Sequence, residues 1–272
     1  MQNMLFSWHF DMGITIFVAA ATILYLYITR FTITRSCIYF FAGLALMTIA
    51  LASPLHVIGM HYLFSAHMIT HILLLLIAGP LLVAGIPKDN RLQPLLQNVS
   101  KLLYKAPFIA WMLGVSVMWL LHIPALFDQL VAMKNMHENT MSLLSYTHIF
   151  SLLVAGILFS WPLINPYEQY RINALNGVFY LTSACVFCSL LGLLITFAPQ
   201  GLYTGYMMHD MALQTVRTQW GISAEMDQQM AGLIMWVPCC MIYLTGAMLL
   251  LKKWFSEKDE AVLMPHTNTL MQ

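Results

Sequence analysis

Apolar runs long enough to cross a lipid bilayer recur along this chain with almost no charge inside them, at roughly 12–29, 37–55, 62–86, 106–124, 142–164, 177–198 and 230–251. A span needs about 20 predominantly apolar residues. Lipid offers no hydrogen-bond partners, so the backbone must satisfy itself, and runs of this length without period-two alternation are helices rather than barrel strands. Composition agrees: only 8% of the 272 residues are charged and 60% are hydrophobic. So few charges cannot solvate a globule of this size in water. A soluble enzyme, a secreted disulfide scaffold, a disordered chain and a nucleic-acid binder are thereby excluded, and a net charge of +1 offers no footprint for nucleic acid. The expected partner on most of the surface is the lipid bilayer.

The reading is an all-α integral membrane protein, a seven-transmembrane-helix bundle forming one domain over 1–272, with 252–272 as a cytoplasmic tail. Seven spans sort the basic residues. Arg30, Arg35, Lys88, Arg91, Lys101, Lys105, Arg171, Lys252, Lys253 and Lys258 fall in one set of connections, and only Lys134 and Arg217 in the other. The richer set faces the cytoplasm, which puts the N-terminus outside and the C-terminus inside. Pro54, Pro87, Pro124, Pro162 and Pro199 lie near proposed ends, whereas Pro80 and Pro238 lie within spans and are expected to kink them. Met1 to Asp11 holds no Lys or Arg, and no small-residue cleavage site follows, so the first apolar stretch reads as a span and not as a signal peptide.

In this orientation His9, His137 and His209 lie in outer segments, and His56, His61 and His122 near outer helix ends. His67 and His71 enter the third span from outside, and His148 lies at similar depth in the fifth. His266 alone is cytoplasmic. Residues at i and i+4 share a helix face, so the imidazoles of His67 and His71 can meet one ion. His148 and His122, from other helices, can complete a bundle-core metal site. Intramembrane imidazoles point to function by default. Their bland alternative is interhelical hydrogen bonding.

Methionine is biased to the same side, with two local mixtures of thioether and imidazole: Met136 and His137, and Met208, His209 and Met211. This soft ligand set suits Cu(I), although Met is also a common gap-filler. Cys185 and Cys188 sit near the middle of the sixth span, and Cys239 and Cys240 near the middle of the seventh. Four thiols would meet at mid-bilayer depth if those helices touch, as a thiolate site for Cu(I) or as small buried hydrophobes. Asp128, Glu138, Asp210, Glu225 and Asp227 lie near or in outer segments and read as mostly solvated. There is no phosphate-cradling loop, nucleophile elbow or zinc-protease helix, so no enzyme is expected.

Ser53-Pro54-Leu55 through His61-Tyr62-Leu63-Phe64-Ser65-Ala66-His67-Met68, with His71 and the run to Gly79-Pro80 and Pro87, resembles the CtaG family of multi-helix bacterial cytochrome c oxidase assembly factors. Leu121-His122-Ile123-Pro124-Ala125-Leu126 with Asp128 is similar to its segment after the fourth helix. His148 with the Phe159-to-Pro162 stretch is similar to its fifth helix, and Asp227-Gln228-Gln229-Met230-Ala231-Gly232 through Met235-Trp236-Val237-Pro238 to its last. The resemblance spans roughly 53–251. It implies an assembly factor of the bacterial inner membrane that works with haem-copper oxidase subunits. Such a factor would handle copper on the outer side, where a periplasmic copper chaperone can meet it. The family's histidine positions carry over to His61, His67, His71, His122 and His148. Two departures stand out: only His148 is placed where the family often pairs histidines entering span five, and Cys239 and Cys240 replace small residues after Pro238.

The expectation is a copper site centred on His67 and His71, joined by His148 and by His122 or His61. Met208, His209 and Met211, with Met136 and His137, would be its lower-affinity point of arrival. Two alternatives stay open. One is a b-type cytochrome with haem between helices. His67 and His71 point the same way and cannot both be axial ligands, so haem would need His148 or His122 opposite. The other is a metal-free assembly scaffold.

Overall fold

The computed structural model describes residues 8–132, 143–199, 201–206 and 211–263. Among these residues there is no strand. The helices are α1 (Met12–Ile28), α2 (Arg35–Ala52), α3 (Pro54–His61), α4 (Phe64–Ala84), α5 (Gln93–Lys105) and α6 (Pro107–Leu121). They continue as α7 (Pro124–Ala132), α8 (Leu143–Ile164), α9 (Ala174–Phe197), α10 (Met211–Trp220) and α11 (Ala224–Leu263).

Five helices, α2, α4, α8, α9 and α11, are long and apolar enough to cross a membrane. The remaining apolar runs form helices that fall short of that length. Helix α1 has 17 residues, and α6 has 15 and is bent 87° from α5 at Ala106. Other boundaries differ from the hydropathy reading. The second run breaks at Ser53, where the backbone turns extended before Pro54 starts α3. The last helix is continuous over 40 residues and carries Lys252, Lys253 and Lys258, so the tail expected from 252 is helical to Leu263. It passes through Pro238 without interruption, and Pro162 lies in the last turn of α8, near its end as expected.

Contacts fix the directions. His71 meets His148 and Gly79 meets Gly156, so α4 and α8 run the same way. Asp11 meets Tyr146 and Phe17 meets Phe150, which aligns α1 with them. Phe40 lies against Gly85 and Gly43 against Leu81, which makes α2 antiparallel to α4. Helix α6 opposes α8 through Gly114 and Phe159. Tyr180 with Phe159, then Cys185 with Cys240, turn α9 up and α11 down. Successive long apolar helices therefore alternate in direction. Arg30, Arg35, Lys88, Arg91, Lys101, Lys105, Arg171, Lys252, Lys253 and Lys258 gather at the lower end; among the described residues Arg217 is the cation at the upper end. At the lower end Lys88 Nζ lies 2.8 Å from Glu168 and holds that carboxyl below its ordinary range. Both groups are exposed, so the pair adds little stability.

Two local devices shape α4. Pro80 has no N–H to give to Leu76, and the residues before it, Leu73–Ala78, form a π-helical turn in which Gly79 N–H reaches Leu74 O. Just below, α4 and α8 cross backbone to backbone. A Cβ on Gly79 would lie 2.6 Å from the Gly156 carbonyl carbon, and one on Gly156 would collide with the Leu75 carbonyl oxygen. Small residues at such crossings allow the close approach on which helix association in lipid depends. His71 and His148 each lie eight residues above their glycine, so the crossing sets their level.

Gly156→Val should destabilise the protein by about 1–3 kcal/mol through overpacking, read as a lower Tm in detergent. Gly246→Ala should be nearly neutral, because the added methyl meets only the flexible end of Leu181.

Candidate metal centre

Helix α4 carries two histidines on one face, and its first turn is capped from a distant helix. Asp227 of α11 accepts from Phe64 N–H at 2.8 Å, from Ser65 N–H at 3.0 Å and from the Ser65 hydroxyl at 2.6 Å. The first amides of a helix have no intrahelical acceptor, and a carboxylate there also suits the helix dipole. Asp227 is 1% exposed, with Arg217 Nη2 3.4 Å away, so it is not the solvated outer carboxylate that the sequence led us to expect. Its neighbour Gln228 donates to Ile195 O and Ala198 O at the C-terminal end of α9.

One turn further in stand His67 and His71, with ring centroids 4.4 Å apart. His148 of α8 joins them, 5.4 Å from His67 and 4.8 Å from His71. His71 Nε2 and His148 Nε2 lie 2.7 Å apart, so one imidazole donates its proton to the other. Each of the three rings offers a nitrogen, and the three nitrogens lie within 4.8 Å of one another. His71 Nδ1 is buried with no hydrogen-bond partner among the described residues. An unsatisfied buried nitrogen is a costly feature for imidazoles that serve only as glue.

His122 stands beside the trio. Its ring lies 5.1 Å from that of His71, and its Nδ1 is held 2.5 Å from Met118 O. Its Nε2 is 3.2 Å from Met68 Sδ, a thioether on the helix that bears His67 and His71. Tyr203 donates to His122 O at 3.0 Å; burial pushes the Tyr203 hydroxyl up to about 12, which keeps it a donor. Tyr206 donates to Gly59 O and fastens α3, whose Gly59 lies directly against the His67 backbone. Phe64, Phe127, Tyr203 and Tyr206 pack ring to ring above the histidines, with Phe127 edge-on to His67 at 5.5 Å.

A cavity of about 20 Å³ lies among His67, His71 and His148, walled also by His56, Met60, Thr70 and Ser145. A site of that size holds roughly one water-sized occupant. His56 and Met60 belong to α3, and neither was singled out as a ligand from sequence. Their only signal was position, since His56 lies near an outer helix end and both fall in the short stretch left between the second and third apolar runs.

The structure does not bring every sequence candidate here. His61 ends α3 with its ring beside Tyr62, away from the cavity lining. Met136, His137, Met208 and His209 lie outside the described residues, as does the side chain of Met211, the first residue of α10. The four cysteines lie on the facing helices α9 and α11 but do not converge on one point. Cys185 Sγ is 3.1 Å from Cys240 Sγ, and Cys188 donates to Met235 O at 3.3 Å, one turn before Cys239. Among the described residues, the three histidines are the only group of three or more candidate ligands converging within ion reach.

The family model described as cytochrome c oxidase caa3 assembly factor (Caa3_CtaG) matches residues 14–257. No curated protein and no solved structure matches the chain.

Asp227→Ala leaves two buried amides without an acceptor, and the Tm should fall by the equivalent of about 1–3 kcal/mol. Asp227→Asn retains one acceptor oxygen and should fall less. Equal, negligible losses for both variants would mean that the cap does not hold α4.

Proposed function

The chain belongs to the family of cytochrome c oxidase caa3 assembly factors, and from that premise we propose that it carries copper as cargo at the imidazole trio on behalf of the oxidase. The supporting observation is the convergence of His67, His71 and His148 on one buried point, reached from two helices held in register by a glycine crossing. His122 with Met68 extends the donor set beside it. Neutral imidazole with thioether is a soft-to-intermediate set that accepts Cu(I) and can still release it. At that point the protein's own groups orient the ligands: Asp227 sets the start of α4, Met118 O fixes the His122 ring, and the aromatic layer keeps bulk water out. The hydrogen bond between His71 Nε2 and His148 Nε2 holds the two rings together, and an ion bound by both nitrogens would take the place of that proton.

The bundle crosses the membrane seven times on this reading, with 1–272 as one domain. Alternating helix directions support that count, with α1 and the bent α5–α6 pair included as spans. The basic lower end faces the cytoplasm by the positive-inside rule. The histidines then open outward in a bacterial inner membrane, where a periplasmic copper chaperone can deliver. Met136, His137, Met208, His209 and Met211 serve as the arrival point, and His61 lies on the way in. The role is non-enzymatic. The cavity of about 20 Å³ admits an ion and not a porphyrin, which weighs against haem.

Detergent-purified protein loaded anaerobically with Cu(I) should retain copper, and His67→Ala/His71→Ala should weaken that binding by at least ~10-fold. Oxidase activity in membranes carrying the variant should fall in parallel, at unchanged abundance of the protein. Full oxidase activity in the double variant would sink the proposal. A Soret band in the untreated protein would move it to the cytochrome reading, and activity lost only together with abundance would leave a scaffold.

A further inference from the structure

Helices α9 and α11 form the tightest antiparallel seam in the bundle, with Gly192 and Gly232 set against each other's backbones. Along it Cys185 Sγ lies 3.1 Å from Cys240 Sγ, with Cys188 and Cys239 nearby on the same two helices. Cys188 also donates to Met235 O at 3.3 Å. Ser189 Oγ lies 3.0 Å from Cys240 Sγ and 2.8 Å from Cys185 O. We infer that Cys185 and Cys240 form a second site, for a soft monovalent cation, Cu(I), deeper in the bundle than the imidazoles.

Packing alone asks only for small side chains, and Gly177, Gly192, Gly232 and Gly246 already supply them along this seam. A thiol pair in contact across the same interface offers ligand atoms as well as small volume. No third His, Cys, Asp or Glu joins Cys185 and Cys240 within ion reach among the described residues. That arrangement does not suit Zn²⁺, which takes four ligands in a tetrahedron. Cu(I) is soft, prefers thiolate and accepts few ligands. When Cu⁺ enters the Cys185–Cys240 pair, two S–H bonds are lost, two protons leave and a bis-thiolate complex of charge −1 remains, with no change of oxidation state. Ser189 Oγ, whose proton goes to Cys185 O, accepts from Cys240 S–H, and on loss of that thiol proton the hydroxyl would turn its own proton to the thiolate.

Depth follows from register. Helices α4 and α11 run in the same direction and are pinned together where Asp227 caps Phe64. Cys239 lies twelve residues past Asp227 and His71 seven past Phe64. At 1.5 Å per residue the thiols lie about 7 Å further along the bundle. The inference rests on the copper-handling reading for the identity of the ion, and on the thiol geometry for the site.

The test is copper K-edge X-ray absorption on the full-length protein loaded anaerobically with Cu(I) in detergent. Wild type is compared with Cys185→Ala/Cys240→Ala and with His67→Ala/His71→Ala. The cysteine variant should lose about one copper per chain together with most sulfur scattering, and keep the nitrogen-ligated copper. The histidine variant should show the converse. Sulfur scattering that persists unchanged in the cysteine variant, or is absent from wild type, overturns the inference. Nitrogen-ligated copper absent from wild type, with sulfur-ligated copper retained, overturns the imidazole reading and leaves the thiol site standing. Should Cys185→Ala/Cys240→Ala fail to accumulate in membranes, Cys240→Ser, which keeps the side-chain size and removes one of the two sulfur ligands, applies the same criteria to the same pair.

Discussion

Helix α4 begins inside the bundle, where its first amides have no water to turn to, and a carboxylate from a helix far along the chain accepts from two of them. Much else depends on that cap. It fixes the height at which His67 and His71 enter, and it binds α11 to α4. A carboxylate so placed also holds Arg217 against the upper face. The Gly79–Gly156 crossing then brings α8 in at the one level where His148 meets His71. The same logic recurs in miniature at Asp11, which caps α1 through Ile14 N–H and receives the Tyr146 hydroxyl from α8. In lipid, where hydrophobic association between helices is weak, such polar ties and close crossings set the arrangement.

The segment Asp227-Gln228-Gln229-Met230-Ala231-Gly232 acquires physical content from this. Asp227 caps the start of α4, Gln228 caps the end of α9, and Gly232 lets α9 approach through Gly192 and Thr196. One turn and a half of α11 therefore joins the termini and faces of two other helices. Its polarity is structural in effect although it lies at the edge of a membrane-length helix.

Hydropathy located the long helices, because burial in lipid demands unbroken apolar sequence and little else produces it. The i, i+4 spacing placed His67 and His71 together for a similarly local reason. His148 required a guess about which helices touch, which no single-helix pattern contains. The burial of Asp227 was illegible for the same cause: a carboxylate near a span end looks solvated until the amides that it caps are in place. Met68 and the pair His56 and Met60 were hidden because their roles depend on which neighbour each helix turn faces. The cysteines were legible as a coincidence of depth in two spans, but their pairing depends on side-chain rotation across the seam.

The π-helical turn at Leu73–Ala78 separates α4 into two halves with independent facings. An α-helix advances about 100° per residue, so a turn that accommodates one additional residue rotates everything below it by that amount relative to everything above. The outer half presents His67 and His71 toward α8, while the inner half seats Gly79 against Gly156 of α8 and Leu81 and Leu82 against Gly43 of α2. In an unbroken α-helix His71 and Gly79, eight residues apart, would point about 80° away from one another. The extra residue thus works as a phase adjuster, and it keeps the ligand-bearing turn and the glycine crossing on the one face that meets α8.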